Sequence, residues 1–252
     1  MYASRQLFHL CKIFVDETDI RNNGESCFMW GGIFLPIDCD LAVRLGKVRL
    51  KERYVNSLHF SARPNLGAKE MEVMKGFINA FIDSNACFRA IVANRTQWNQ
   101  LSRWDSKARL IGLLLSYPWV PAEGRIFTIL SRPRLIFDRS SLSAGQEVDF
   151  RNQIDRMLKR RRNIAGKPTK EIADSSLVFA DRRLFDELQL IDIMNGLIRI
   201  SYLKKAGQSI PKSKEELHDF FLRKFPLIKS FANAERKQTR QRLDVWEFHP
   251  RS

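Results

Sequence analysis

Three aspartates that lie far apart in the chain share an apolar setting. Asp16 ends the run KIFVD and is followed by Glu17, Asp138 ends the run LIFD, and Asp192 lies within LQLIDIMNG. Mg²⁺ and Mn²⁺ prefer oxygen ligands, and one or two such ions can activate water for phosphodiester cleavage. A single aspartate at a strand end is common, because Asp is a turn residue. The combination of all three with a basic chain therefore predicts a metal-dependent nuclease site.

The segment around Asp192, residues 184–200, predicts an almost wholly apolar helix. Its polar exceptions recur at steps of three or four residues and form one stripe: Gln189, Asp192, Asn195 or Gly196, and Arg199. A carboxylate in so apolar a helix needs a partner, because an isolated buried charge is very costly. A metal ion, an arginine or a pocket open to solvent would serve, but Arg199, about two turns away, is too distant for good pairing. The alternative is a stripe that faces water.

Hydrophobic periodicity predicts the elements that must position these side chains. Strands over 10–16 and 26–35, with a turn at 21–24, predict a β-hairpin, in which Gly31 and Gly32 indicate a bulge or a close backbone approach. Further strands are predicted at 58–60, 87–93, 134–138 and 176–179, and helices at 38–54, 67–84, 96–117, 147–162, 185–203 and 215–225. Residues 126–130 fit either a strand or a short buried helix, and residues 245–248 fit a terminal strand or a docking tail. This order predicts an α/β fold with a mixed sheet.

The charge of the chain indicates a polyanionic partner. The formal net charge is +15, of which residues 151–252 contribute +10. This excess of basic residues favours nucleic acid as the partner, and the alternative is a basic surface that only aids solubility. The pattern of residue types changes at residue 210, which predicts one main domain over 1–209 and a basic helical extension over 210–252. Phosphate contacts, which give affinity without sequence information, are predicted for Arg160, Arg161, Arg162, Arg236, Lys237 and Arg240.

The sequence lacks the signatures of several other classes of protein. No apolar run approaches the roughly 18 residues of a membrane helix, and the first ten residues do not form a secretory signal. The four cysteines show neither C-x-x-C nor zinc-ligand spacing, which indicates a reducing compartment. Nucleotide-binding loops and nucleophile elbows are missing from the sequence. We therefore expect a cytoplasmic protein with no membrane partner.

The blocks around the three aspartates resemble the domain-of-unknown-function 3800 family. FVDET, followed by a turn and MWGGIF, is similar to the family's opening strand, which ends in Asp-Glu-Ser-Gly, and to its second strand with small residues. LIFD resembles its middle strand, and LQLIDIMNG resembles its late helix, which is the most specific match. The likeness spans about residues 10–203.

The resemblance implies a ribonuclease H-like fold, with a mixed sheet flanked by helices, and a nuclease that hydrolyses DNA or RNA. Asp16, Asp138 and Asp192 would hold Mg²⁺ or Mn²⁺, with Glu17 as a further ligand or a supporting group. Gln189 would orient a ligand or the substrate. His59 is a candidate for contacting phosphate or carrying a proton, and simple packing is its alternative.

This chain departs from the family pattern at three places. Thr18 and Asp19 replace the usual Ser and Gly, and Ser57 stands where the family often has a Glu before the histidine. Arg182 stands where a Ser often follows the late strand. The missing Glu, if it is a ligand in relatives, removes support for a second metal ion. It favours one alternative, a nucleic-acid-binding module whose chemistry has lapsed. The resemblance to the family gives a second alternative, a subunit of a bacterial defence complex whose basic tail binds nucleic acid or a protein partner.

Overall fold

The computed structural model shows an α/β protein with a mixed sheet flanked by helices. It describes residues 7–21, 26–60, 64–94, 114, 126–128, 134–138, 147–149, 151–152, 177–225 and 243–248. The strands are β1 (Leu7–Arg21), β2 (Ser26–Pro36), β3 (Cys87–Asn94), β4 (Ile126–Thr128), β5 (Arg134–Asp138), β6 (Leu177–Ala180) and β7 (Leu243–Phe248). The helices are α1 (Leu41–Glu52), α2 (Ala68–Asp83), α3 (Asp186–Lys205) and α4 (Lys212–Lys224), and a short 3₁₀ turn spans Arg182–Leu184.

Six strands follow one another across the sheet in the order β6-β5-β1-β2-β3-β7, and β4 pairs with the start of β1. The β1-β2 and β2-β3 pairs are antiparallel, whereas β5 and β6 run parallel to β1. Helix α3 packs against β1 and β2, and α1, α2 and α4 pack around α3. β1 is therefore central, and its run of Ile13, Phe14 and Val15 is buried because both faces of the strand are covered.

Most of the predicted elements are confirmed with shifts of a few residues at their ends. The hairpin, the strands at 87–93, 134–138 and 176–179, and the helices at 38–54, 67–84, 185–203 and 215–225 all form. Residues 126–128 are a strand, and 245–248 lie in β7. Of the helices predicted at 96–117 and 147–162, only residues 114, 147–149 and 151–152 are described, and they are helical. The rest of both segments lies outside the described residues.

The strand predicted at 58–60 is wrong, because these residues adopt no regular structure. The backbone N–H groups of Leu58 and Phe60 donate instead to side chains of α3. Of the two features predicted at Gly31 and Gly32, the structure shows the close approach. The irregularity in the register of the hairpin lies elsewhere, between Leu10 and Lys12.

The segment after residue 210 contributes to the same body of structure. Helix α4 packs on α2 and α3, and β7 pairs in parallel with β3. The described part of the predicted extension is therefore a helix and a strand of the main sheet. Among the described residues no helix is both long and apolar enough to span a membrane.

His218 of α4 is buried and contributes a pH-dependent part of the stability. Its Nε2 lies 2.8 Å from Ser201 Oγ, and its Nδ1 lies 3.6 Å from Asp219 Oδ1. Burial, and then the neighbouring Lys204, lower the pKa of the imidazole, against the opposing effect of Asp219 and Glu215. The folded protein therefore favours neutral His218.

We expect the free energy of unfolding to fall as the pH falls below about 6.5, the ordinary pKa of histidine. In that range the unfolded chain binds a proton that folded His218 does not bind. The stabilisation is complete above this pH and is lost below it, by at most about 1.4 kcal/mol per pH unit. Urea unfolding at several pH values checks this, since His218→Gln should have a shallower pH dependence. Identical slopes for both proteins would contradict it.

Candidate active site

Strand pairing brings Asp16 and Asp138 to the same face of the sheet. Phe14 of β1 pairs with Ile136 of β5 in a parallel register, and each aspartate follows two residues later. Alternate residues of a strand point to the same face, so both carboxylates leave that face at the carboxyl ends of adjacent strands. The sequence predicts each strand separately, and this register makes the two aspartates neighbours.

Helix α3 brings Asp192 to this face because it approaches the sheet at a glycine. Gly31 of β2 is the cross-strand partner of Asp16, and a Cβ atom on Gly31 would lie only 2.0 Å from Asn195 Oδ1. Asn195 Nδ2 donates to the backbone oxygen of Asp16 at 3.3 Å. Asp192, one turn earlier in α3, is thereby held over the ends of β1 and β5. The close backbone approach predicted at the glycine pair is this contact.

A guanidinium lies where the three carboxylates meet. Arg182 follows β6, two residues after Ala180, which pairs with Asp138. Its Nη2 is 2.7 Å from Asp138 Oδ2, and its Nη1 is 3.4 Å from Asp192 Oδ1 and 4.0 Å from Asp16 Oδ2. The three aspartates that the sequence predicts as a site are therefore together, around a cation supplied by the chain itself.

The cluster is buried and carries more negative than positive charge. The side chains of Asp16, Asp138 and Asp192 are 3–4% exposed. With all groups ionised, three carboxylates and one guanidinium leave a formal charge of −2. Burial raises the pKa of Asp16 well above its usual value; Arg182 opposes this, while Asp192 and Asp138 add to it. Asp16 Oδ1 accepts from the N–H of Glu17 at 2.8 Å, whereas the buried Oδ2 has no hydrogen-bond partner.

The polar stripe of α3 is buried, so the alternative of a stripe facing water is wrong. Gln189 and Asn195 are inaccessible like Asp192, and Gly196 also lies inside. The stripe meets the sheet at Asn195 and the segment of residues 58–60 at Gln189, Asp192 and Gly196. A Cβ atom on Gly196 would meet the Phe60 ring at 2.0 Å, so this glycine lets the segment lie against the helix.

Gln189 and Asp192 fasten that segment over the site. Asp192 Oδ2 accepts from the Phe60 N–H at 2.9 Å, and Gln189 Oε1 accepts from the Leu58 N–H at 2.7 Å. Gln189 Oε1 also accepts from Arg49 Nη2 at 2.6 Å, and Gln189 Nε2 donates to the backbone oxygen of Arg182 at 3.2 Å. Gln189 thus joins three segments next to the carboxylates, and its predicted role in orienting a ligand or the substrate stays a prediction.

The remaining predicted site residues are Glu17, His59 and six basic residues. Glu17 follows Asp16 in an extended strand, so its side chain starts from the opposite face, and its backbone N–H is what contacts Asp16. His59 is half-buried, with Nε2 3.0 Å from Ser57 Oγ. The six predicted phosphate contacts lie outside the described residues: Arg160, Arg161, Arg162, Arg236, Lys237 and Arg240.

The donors at this site suit a hard divalent cation in type, but their present spacing suits a guanidinium. In the described part of the chain no group of three or more His, Cys, Asp or Glu side chains has an arrangement that could hold a metal ion. Ligand distances to Mg²⁺ are about 2.0–2.1 Å, so the carboxylates must close in and Arg182 must leave part of the space. The buried Asp16 Oδ2 without a hydrogen-bond partner is the atom that such an ion would satisfy.

Comparison with known proteins adds no relative. No family model matches the chain, and no curated protein or solved structure matches it either. The resemblance to the domain-of-unknown-function 3800 family stays a prediction.

Sequence reasoning missed the contact that Arg182 makes with the three aspartates. From the sequence, Arg182 is only a residue that stands where the resembled family often has a serine. A signal was present, because β6 was predicted to end near residue 179 and Arg182 follows it within one short turn. Without the order and register of β1, β5 and β6, nothing in the sequence says which carboxylates this arginine faces.

Proposed function

We propose that the protein is a divalent-metal-dependent nuclease with a ribonuclease H-like fold, which hydrolyses phosphodiester bonds in nucleic acid. The observation that carries the proposal is the meeting of Asp16, Asp138 and Asp192 in one buried cluster with a formal charge of −2. A protein interior does not hold such a charge cheaply, and buried charges are normally paired or coordinate metals. With all three carboxylates ionised, a divalent cation beside Arg182 would bring the formal charge of these groups to zero.

The mixed sheet supports the ribonuclease H-like part of the proposal. On one side of β1 the strands β5 and β6 run parallel to it, and on the other side the antiparallel pairs β1-β2 and β2-β3 are followed by β7, which is parallel to β3. Helices pack on this sheet. The resemblance of the three sequence blocks points to the same fold, and their three aspartates lie together.

Each side chain has a defined part in the proposed reaction. Asp16, Asp138 and Asp192 would hold one Mg²⁺ or Mn²⁺ ion, which supplies Lewis acidity that activates water and offsets charge on the leaving oxygen. The N–H of Phe60 holds the Asp192 carboxylate in position, and Gln189 holds Leu58, two residues earlier in the same segment. Because Ser57 stands in place of the expected glutamate, we propose a single ion.

A phosphate-containing substrate fits the cations beside the site. Lys214 Nζ lies 4.9 Å from the centre of the Phe60 ring, and Phe60 donates its N–H to Asp192. Burial, and then Arg199, lower the pKa of the Lys214 ammonium, against the opposing effect of Asp192 and Glu70. Together with the overall charge of +15 these cations favour a polyanion.

The experiment is a cleavage assay with labelled single- and double-stranded DNA and RNA in Mg²⁺, Mn²⁺ or EDTA. We expect loss of at least one of these substrates with a metal ion and none in EDTA, because the carboxylates alone cannot activate water. Substrates that stay intact in saturating Mn²⁺ would contradict the nuclease proposal.

A second candidate is a nucleic-acid-binding module that has lost its chemistry, alone or within a bacterial defence complex. The ion pairs of Arg182 favour it, since this guanidinium already neutralises part of the cluster. Such a module would bind nucleic acid without cleaving it in any metal ion. Its affinity should fall steeply and linearly on a log-log plot as salt rises, because phosphate contacts release counterions. Affinity that is independent of salt would contradict a phosphate-driven complex.

A further inference from the structure

We infer that the outward face of α1 binds an α-helix of a protein partner, a helix with an apolar seam and acidic side chains beside that seam. The docking face consists of Val43, Gly46 and Leu50, with Lys47 and Lys51 next to them. The inference is independent of the nuclease and of a metal ion, because none of these residues belongs to the carboxylate cluster.

Helix α1 is apolar on two opposite sides. Leu41 and Leu45 are buried in the core. Successive helical residues are about 100° apart, so Val43 and Leu50 lie about half a turn around the helix from Leu41. Their side chains are 59% and 79% exposed. A surface helix normally carries polar residues on that side. The pattern of α1 is therefore that of a helix that is covered on both sides.

Exposed apolar side chains are concentrated around α1. Single exposed apolar residues are common on proteins, whereas a group of them marks an interaction site. Among the described residues, four of the seven large hydrophobic side chains that are exposed lie in α1 or within a few residues of its ends: Ile37, Val43, Leu50 and Val55. This concentration indicates that α1 is part of an interaction surface.

Gly46 is a helical glycine that the packing of the chain itself does not require. A Cβ atom on Gly46 would meet nothing within 4 Å. A Cβ atom on Gly76 would lie 2.6 Å from Val48, and one on Gly196 would lie 2.0 Å from Phe60, so internal contacts explain the other two glycines of the described helices. Glycine inside a helix is less stable than alanine. A close approach from outside the molecule accounts for its use at position 46.

The spacing on the docking face is that of a seam between two packed helices. Val43, Gly46 and Leu50 follow one another at steps of three and four residues. Val43 and Leu50 are about 10 Å apart along the helix axis. Gly46 leaves a gap between them, into which a large apolar side chain of a second helix can insert. Recognition of a helix commonly uses apolar anchors at this spacing.

Two lysines determine the charge that the partner must carry. Lys47 and Lys51 lie on one side of the seam, and Lys47 is exposed. The side chain of Lys51 is 82% exposed, and its Nζ lies 3.7 Å from Glu52 Oε1. Charges beside a helical seam select partners of opposite charge. The docking face therefore fits a helix with acidic side chains along one side.

Nucleic acid and a second copy of the chain fit this face less well. Phosphates would pair with the lysines, but Val43 and Leu50 are aliphatic, whereas bases stack on aromatic rings and guanidinium groups. A second copy related by a two-fold axis at Gly46 would bring Lys47 close to its own equivalent. Each copy also carries a net charge of +15, so the two would repel each other. An acidic helix uses both the apolar and the basic part of the face.

The test measures binding of synthetic helical peptides to the full-length protein by fluorescence anisotropy. The first peptide has a leucine seam flanked by glutamates, the second has lysine in place of each glutamate, and the third has serine in place of each leucine. We expect the first to bind at least about tenfold more tightly than the other two, because only it offers both apolar anchors and negative charge. Failure of the first peptide to bind more tightly than both others would overturn the inference.

Two variants with matched controls locate the binding. Gly46→Leu fills the gap in the seam and should weaken binding of the first peptide at least about tenfold, with no loss of thermal stability, because the added side chain meets open space. Gly67→Leu adds the same side chain in open space at the start of α2 and should bind within about twofold of the wild type. Lys47→Glu should also weaken binding, whereas Lys205→Glu, at an exposed position that ends α3, should not. Undiminished binding by Gly46→Leu would overturn the inference.

Sedimentation velocity and gel shifts with DNA and RNA test the other occupants on the wild type and on Gly46→Leu. We expect this substitution to leave the oligomeric state and the affinity for nucleic acid unchanged. A dimer that Gly46→Leu dissociates would overturn the inference in favour of a second copy, and weaker binding of nucleic acid by Gly46→Leu would overturn it in favour of nucleic acid. The cleavage assay tests the nuclease separately.

Discussion

Replacing Asp138 by alanine is expected to abolish metal-dependent cleavage. Its carboxylate lies at the end of β5, is 3% exposed, and makes the shortest contact in the cluster. The change removes a proposed ligand of the ion and the anchor of Arg182. A bound metal ion supplies several kcal/mol of transition-state stabilisation, so we expect a loss of about a thousandfold or more in rate.

Nucleic-acid binding by Asp138→Ala should persist, because the loss of one carboxylate does not weaken attraction to phosphate. Gel-shift and cleavage assays on the same preparation would separate the two effects, with circular dichroism as the check on folding. Asp138→Asn keeps the volume of the side chain and should be equally inactive. Asp40→Asn removes an exposed carboxylate that pairs only locally with Arg44 and serves as the control. Wild-type cleavage by Asp138→Ala would refute the assignment of this residue.

The second large effect is expected for stability, on replacing Arg89 by alanine. Arg89 of β3 is buried, and its cross-strand partner in β7 is Asp244. Arg89 Nε donates to Asp244 Oδ2 at 3.0 Å, and Arg89 Nη1 donates to the Leu114 backbone oxygen at 3.1 Å. Removing one partner of a buried ion pair leaves a desolvated charge, which costs about 3–5 kcal/mol. Arg89→Ala should therefore be strongly destabilised and should release β7 from the sheet.

Urea unfolding measures this loss, and limited proteolysis near residue 243 reports whether β7 has come away. Arg44→Ala is the control, because its pair with Asp40 is exposed and should contribute less than about 1 kcal/mol. Arg89→Met combined with Asp244→Leu should recover much of the stability, since an apolar pair has no charge to desolvate. A loss below about 1 kcal/mol for Arg89→Ala would contradict the expected importance of the pair.

The elements with strong local patterns could be read from the sequence. α2 has the three- and four-residue periodicity of an amphipathic helix, whereas the hairpin strands and β5 are apolar runs, the last of which ends at Asp138. The strand predicted at 58–60 fails for a physical reason. Its apolar residues are buried, but the backbone donors at Leu58 and Phe60 are satisfied by Gln189 and Asp192 instead of by another strand.

The sequence by itself determined the three candidate carboxylates, the apolar helix that carries one of them, and an α/β order of elements. These follow from local composition and spacing, which act over a few turns or strand residues. Only the tertiary structure decided that the carboxylates meet, because strand order and register depend on contacts between segments more than a hundred residues apart. It also decided that Arg182 lies among them, since an arginine finds its partners through the register of β6 with β5 and not through its neighbours in the chain.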